Sequence, residues 1–80
     1  MAWYVYIIQS RTGRLYTGVT TDPQRRLREH NESPRGAKCT RAGRPWRLLW
    51  VEPVPTRGQA LRREAQIKRL PRSKKLLLCR

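Results

Sequence analysis

Glu64 stands in the run Ala60-Leu61-Arg62-Arg63-Glu64-Ala65-Gln66-Ile67-Lys68, whose apolar residues repeat at helical spacing. At roughly 100° per residue, Ala60, Leu61, Ala65, Ile67 and Leu70 share a broad face, while Arg62, Gln66 and Arg69 point away. Glu64 falls near the middle of that face. A carboxylate among apolar neighbours is costly unless a cation or hydrogen-bond donors meet it. Two readings fit. Lys68 follows at the favourable i,i+4 spacing for an ion pair, or the carboxylate turns inward to hold a metal ion or to do chemistry.

Arg26 and His30 lie one turn apart in Arg25-Arg26-Leu27-Arg28-Glu29-His30-Asn31 and share a helical face with Pro23 and Leu27. An arginine there can clamp a phosphate, and a neighbouring imidazole can donate to it or move a proton. The plainer reading is a solvated basic helix with His30 closing its end. Tyr6 and Tyr16 fall on neighbouring extended segments. Buried tyrosines of this kind usually pack with a satisfied hydroxyl. Dense positive charge nearby would lower a phenol from its ordinary pKa of about 10 and make a phenolate base conceivable.

The elements that must position these groups can be read from pattern. Trp3-Tyr4-Val5-Tyr6-Ile7-Ile8 is aromatic and β-branched, and predicts a strand buried on both faces. Ser10 to Arg14 supplies a turn, and Leu15-Tyr16-Thr17-Gly18-Val19 returns as the second strand of a hairpin, with Gly18 marking a bulge or a close approach. Thr21 or Asp22 before Pro23 opens a helix to about Asn31. Residues 32–45 predict a basic loop, and Trp46 to Val51 a third strand closed by Pro53 and Pro55. Thr56-Arg57-Gly58-Gln59 fits a capping box for a helix from about Arg57 to Leu70. Pro71 ends it, and Ser73 to Leu78 allows a last short helix.

Eighty residues suffice for one domain with a thin core. Lys and Arg number 19 against five acids, a formal charge of +14. Self-repulsion of that size destabilises a compact chain, so the excess serves a polyanionic partner. Nucleic acid fits best and an anionic membrane surface second. No apolar run approaches the roughly 20 residues of a membrane span, and Met1 to Gln9 lacks a basic n-region and a cleavage site. Cys39 and Cys79 lack zinc-type spacing and suggest no disulfide framework. The expectation is a cytoplasmic protein with no membrane partner.

Together these residues resemble the GIY-YIG nuclease superfamily, in particular its short stand-alone bacterial (UPF0213-like) members. The match opens at Val5-Tyr6-Ile7, with Tyr4 in the place of the first tripeptide's glycine, and continues at Tyr16-Thr17-Gly18, where Thr17 replaces the usual isoleucine. Arg26, His30 and Glu64 follow in family order, so the resemblance covers almost the entire chain. Some members carry a functional asparagine near the end, whereas the one asparagine here is Asn31.

The resemblance implies a single α/β domain over residues 1–80, a small three-stranded antiparallel sheet flanked by helices. It also implies a divalent-metal-dependent endonuclease acting in DNA repair or processing with little sequence specificity. Glu64 would bind Mg²⁺ or Mn²⁺, Arg26 would neutralise a phosphate oxygen, and Tyr6 would activate water, with Tyr16 orienting it or exchanging roles with it. His30 would relay the proton or hold the phosphate. Arg25, Arg28, Lys38, Arg41, Arg44 and Arg47 are candidates for backbone contacts, which position substrate without reading sequence. Trp46 is a candidate for stacking on a base, against the commoner fate of a core tryptophan. DNA is favoured, with single-stranded, flapped or branched forms expected over intact duplex. The alternative is a non-catalytic basic module binding DNA or RNA. Oligomeric state is open.

Overall fold

The structure, a computed structural model, describes residues 2–32 and 43–79; Lys38, Cys39 and Arg41 lie outside them. The described chain is an α/β fold: a three-stranded antiparallel sheet with three helices. Its elements run β1 (Trp3–Gln9), β2 (Leu15–Thr20), α1 (Pro23–Glu32), β3 (Arg47–Val54), α2 (Arg57–Lys68) and α3 (Arg72–Leu78). The sheet order is β2-β1-β3, so the most apolar strand takes the centre. Val5, Tyr6, Ile7 and Ile8 are all buried, as expected for a strand covered on both faces.

Strand alternation sends these four residues into two separate clusters. Tyr6 and Ile8 join Trp46, with Tyr16, Leu27, Leu48 and Val51 packed around them. Val5 and Ile7 join Ala60 and Ile67 of α2, with Trp3, Leu15, Trp50 and Leu78 around them. Leu27 belongs to α1, whereas Ala60, Ile67 and Leu78 belong to α2 and α3, so the sheet carries α1 on one face and α2 with α3 on the other.

Local chemistry sets the element ends. The hairpin is closed by Ser10, whose N–H donates to the Arg14 carbonyl at 2.8 Å while its hydroxyl accepts the Arg14 N–H at 2.8 Å. Gly13 turns the corner at φ +95°, a conformation that suits a residue without Cβ. Asp22 caps α1 by accepting the Arg25 N–H at 3.1 Å. Thr56 caps α2 by accepting the Gln59 N–H at 3.2 Å.

Two sequence expectations are corrected. The third strand runs on through Pro53 to Val54, pairing Pro53 with Tyr4. An edge strand tolerates a residue with no N–H to give its ladder. On α2 the covered stripe is narrower than the apolar pattern suggests. Ala60 and Ile67 are buried, but Leu61 is 38 % exposed and Ala65 is exposed too. Arg63 and Glu64 occupy the partly covered ground between Ala60 and Ile67. Arg63 gains its place by donating to Glu52 at 2.9 Å and lying over the Trp50 ring.

Candidate active site

The site is built on the α1 face of the sheet and begins with an absent side chain. Tyr6 pairs across the ladder with Gly18 of the outer strand β2. A Cβ placed on Gly18 would lie 2.4 Å from the Tyr6 hydroxyl oxygen and 2.6 Å from its Cζ. Gly18 is therefore the close approach its position suggested: the phenol ring lies flat across β2, which no other residue would permit without displacing it. The arrangement carries the Tyr6 hydroxyl towards the sheet edge, where α1 supplies the remaining groups.

There the Tyr6 Oη lies 2.8 Å from His30 Nε2, in a buried contact. Tyr16 closes the triangle, its ring centroid 5.1 Å from the imidazole in an edge-on arrangement and 6.4 Å from the Tyr6 ring. Arg26, one turn before His30, donates through Nη1 to Glu29 Oε1 at 3.0 Å, and its charge acts on the Tyr6 hydroxyl. His30 is completely buried, not a solvated helix end.

The electrostatics correct one expectation. The Tyr6 phenol is pushed well above its ordinary range, first by burial and then by the neighbouring Tyr16. Arg26 pulls it down, but desolvation of a phenolate in this packed corner outweighs one partly exposed guanidinium. Positive charge thus does not make a standing phenolate. His30 moves the other way, to about 4, because burial, with Arg26 next, disfavours the imidazolium. It is neutral at pH 7 and can accept the Tyr6 proton at Nε2. Burial alone would depress the Arg26 guanidinium, yet Glu29 and Tyr6 raise it overall.

Glu64 approaches from the other layer. Its side chain is 20 % exposed, and Oε2 lies 3.7 Å from Lys68 Nζ, an ion pair too long for a hydrogen bond. Its charge is nevertheless felt at Tyr6, where it raises the phenol. Of the two sequence readings of Glu64, the i,i+4 pair with Lys68 is present. Among the described residues no three His, Cys, Asp or Glu side chains are grouped to enclose a metal. One carboxylate with its oxygens little engaged instead fits a Mg²⁺-type ion, which keeps most of its waters and takes further oxygens from a phosphate substrate.

The expected backbone contacts divide. Arg25 and Arg28 are exposed on α1. Arg44 is turned inward, its Nε donating to the His30 carbonyl at 2.6 Å, so it props the end of α1. Arg47 is exposed and bonded to Gln9 through Nη2 at 2.9 Å. Trp46 is 4 % exposed and its ring meets Tyr16 edge-on, so it is core and cannot stack on a base. Pattern reading did not register Glu29 or Asn31. The i,i+3 spacing from Arg26 could have flagged Glu29. Asn31 accepts the Trp46 N–H at 2.6 Å and donates to the Trp46 carbonyl at 2.9 Å, tying α1 to the start of β3. No local signal announces such a partner fifteen residues away.

Comparison with known proteins converges on the same fold. Residues 2–76 match the family model of the GIY-YIG catalytic domain. The chain belongs to the GIY-YIG family, whose nuclease domain implies a nucleic-acid substrate. Within it the chain is similar to UPF0213 proteins. One from Desulfotalea psychrophila is 47% identical over 77 residues, covering 96% of this chain and 70% of the relative. Another, from Haloquadratum walsbyi, is 50% identical over 72 residues, covering 90% and 80%. The solution structure of a UPF0213 protein from Bacillus halodurans superposes with a TM-score of 0.61 at 44% identity, covering 98% of this chain and 82% of that one. Among the described residues no helix is long and apolar enough to cross a membrane.

Proposed function

We propose that this protein is a divalent-metal-dependent endonuclease acting on DNA with little sequence specificity. The observation that carries the reading is the buried Tyr6–His30 hydrogen bond, flanked by Arg26 and within electrostatic reach of Glu64. A buried phenol bonded to a buried neutral imidazole, beside an arginine, forms a path along which a proton can move.

Tyr6 acts as the base through His30. As water attacks phosphorus, its proton passes to the Tyr6 oxygen while the Tyr6 proton moves to His30 Nε2, and no free phenolate need accumulate. The phosphorus–oxygen bond to the leaving nucleoside breaks, and that oxygen takes up a proton from solvent. Arg26 neutralises charge developing on a non-bridging oxygen. Tyr16 holds the imidazole edge and orients the pair. Glu64 would hold Mg²⁺ or Mn²⁺, which when bound stabilises negative charge on the phosphate and the leaving oxygen. Arg25, Arg28 and Arg47 supply backbone contacts outside this cluster; Lys38 and Arg41 are candidates for the same role.

The second reading, a non-catalytic basic module, is favoured by the Glu64–Lys68 pair. A nicking assay on supercoiled DNA separates them. The nuclease reading expects nicking in Mg²⁺ or Mn²⁺, its loss in EDTA and its return when metal is restored. Binding without nicking under any metal overturns it.

A further inference from the structure

A concavity lies on the sheet face opposite the Tyr6–His30 cluster, where the hairpin meets α3. It has a volume of about 270 Å³ and is lined by Arg14, Leu15, Arg72 and Lys75. Leu15 packs in the same cluster as Leu78 and Cys79, which holds the end of the chain against the start of β2. Arg72 leans over the hairpin turn, its Nη2 3.6 Å from where a Gly13 Cβ would stand.

Three cations sharing one small hollow repel one another, and this chain does little to relieve them. Its five acids are Asp22, Glu29, Glu32, Glu52 and Glu64. Asp22 caps α1, Glu29 meets Arg26, Glu52 meets Arg63 and Glu64 meets Lys68, while Glu32 ends α1 on the other face. Among the described residues no ion pair reaches Arg14, Arg72 or Lys75. A folded chain that gathers cations without anions has a place for an anion from outside.

Position says which anion. Arg14 immediately precedes β2, the outer strand that also carries Tyr16 and Gly18. Four residue steps run from Arg14 to Gly18, about 13 Å of strand at roughly 3.3 Å per step. A nucleic-acid strand covers that distance within a few nucleotides, since each adds at least about 3.4 Å. The hollow lies at the start of β2 and the catalytic cluster over its middle, on the other face of the sheet, so a nucleic-acid backbone that touches both passes round the outer edge of β2.

We propose that Arg14, Arg72 and Lys75 form a second phosphate-binding site, which grips the substrate backbone a few nucleotides from the linkage held at Tyr6 and Arg26. The proposal rests on the nuclease reading for the direction of the strand but not for the anion itself. It gives the small domain a two-point hold on its substrate, with a guanidinium fork suited to phosphate at each point.

The test compares R14Q/R72Q with R62Q/R69Q, which removes the same charge from exposed positions on the outward side of α2. Probes are a labelled 30-nucleotide single strand, its duplex, and shortened versions that leave fewer than three nucleotides on either side of the cleaved linkage. R14Q/R72Q is expected to raise KM and Kd on the long probes roughly tenfold with kcat unchanged. It should also flatten the salt dependence by about 0.9 on duplex or about 0.7 on a single strand for the lost phosphate. On the shortened probes it should match wild type. Equal weakening by both pairs, or no effect of R14Q/R72Q while wild type cleaves normally, overturns the site. Binding with the expected R14Q/R72Q defect but no cleavage by wild type keeps the site and overturns the nuclease reading. Absence of any binding by wild type overturns both.

Discussion

The two faces of the sheet are built from alternate residues of the same strand, yet they solve different problems. Below β1, Val5 and Ile7 pack on Ala60 and Ile67 in an apolar cluster, each buried Val or Ile side chain contributing about 1.5–3 kcal/mol. Above it, Tyr6 and Ile8 pack with Trp46 around a fully buried histidine, and polar atoms are satisfied one by one. No buried side-chain nitrogen or oxygen among the described residues lacks a partner. One face stabilises the fold; the other spends burial on shifting two titratable groups in opposite directions. The difference teaches where to look for chemistry in a small domain: not in a cleft, but on the face whose core is made of groups that resent being there.

The largest effect should come from the residue that joins the faces. Glu64→Gln keeps side-chain shape and removes the charge proposed to hold the metal. Cleavage should fall to background while binding is undiminished, since a repulsive carboxylate near the phosphates is gone. Retained Mg²⁺-dependent cleavage by folded Glu64→Gln would place catalysis on the tyrosine face alone. Next, Arg26→Ala should lower kcat by about 10²–10³, the usual cost of one preorganised donor, with a much smaller change in affinity because many cations remain. Loss of affinity in proportion to rate would make Arg26 a general anchor.

The sequence made the lower face and the element order legible because both depend on local pattern. The caps at Asp22 and Thr56, the proline at the start of α1 and the central apolar strand all acted as their types dictate. The resemblance named Tyr6, Tyr16 and His30, which the structure gathers on the upper face, and Gly18 was marked by its odd place inside a strand. What pattern could not carry was the balance at Tyr6. Charge composition pointed to a lowered phenol, whereas the packing of Tyr16 and His30 around the hydroxyl makes desolvation decisive. Likewise Arg44, grouped by composition with the phosphate contacts, is claimed by the His30 carbonyl, and Trp46 by Asn31 and the core. Each miss involves a partner far along the chain.

A pH titration should expose the burden of the upper face directly. Unfolded His30 titrates near 6.5 and the folded residue near 4, so the unfolded chain binds the extra proton between these values. Stability from a neutral His30 is therefore complete above about pH 6.5 and is lost as pH falls towards about 4. The full swing is of order 3 kcal/mol. Urea unfolding at pH 7.5, 5.5 and 4.5 should show that decline in wild type and a flatter profile in His30→Gln. Parallel profiles would mean that the imidazole protonates without cost in the fold.

The smallest effects give the sharpest contrast. Gly18→Ala adds one methyl group to the upper face, where it would meet the Tyr6 hydroxyl at 2.4 Å. Overpacking of this kind costs about 1–3 kcal/mol, and relief requires the phenol to swing away from His30. Ile7→Val removes one methyl from the lower face, at about 0.5–1.5 kcal/mol, and touches no group of the site. Both proteins should fold with modestly lowered stability, so a stability assay alone would not rank the faces. Cleavage should: Gly18→Ala loses most of its kcat because the Tyr6–His30 bond is broken, while Ile7→Val keeps wild-type turnover at temperatures below its unfolding transition. Near-wild-type kcat in Gly18→Ala, with a chemical shift at His30 showing its hydrogen bond intact, would mean that the ring can be accommodated elsewhere and that the glycine serves packing alone.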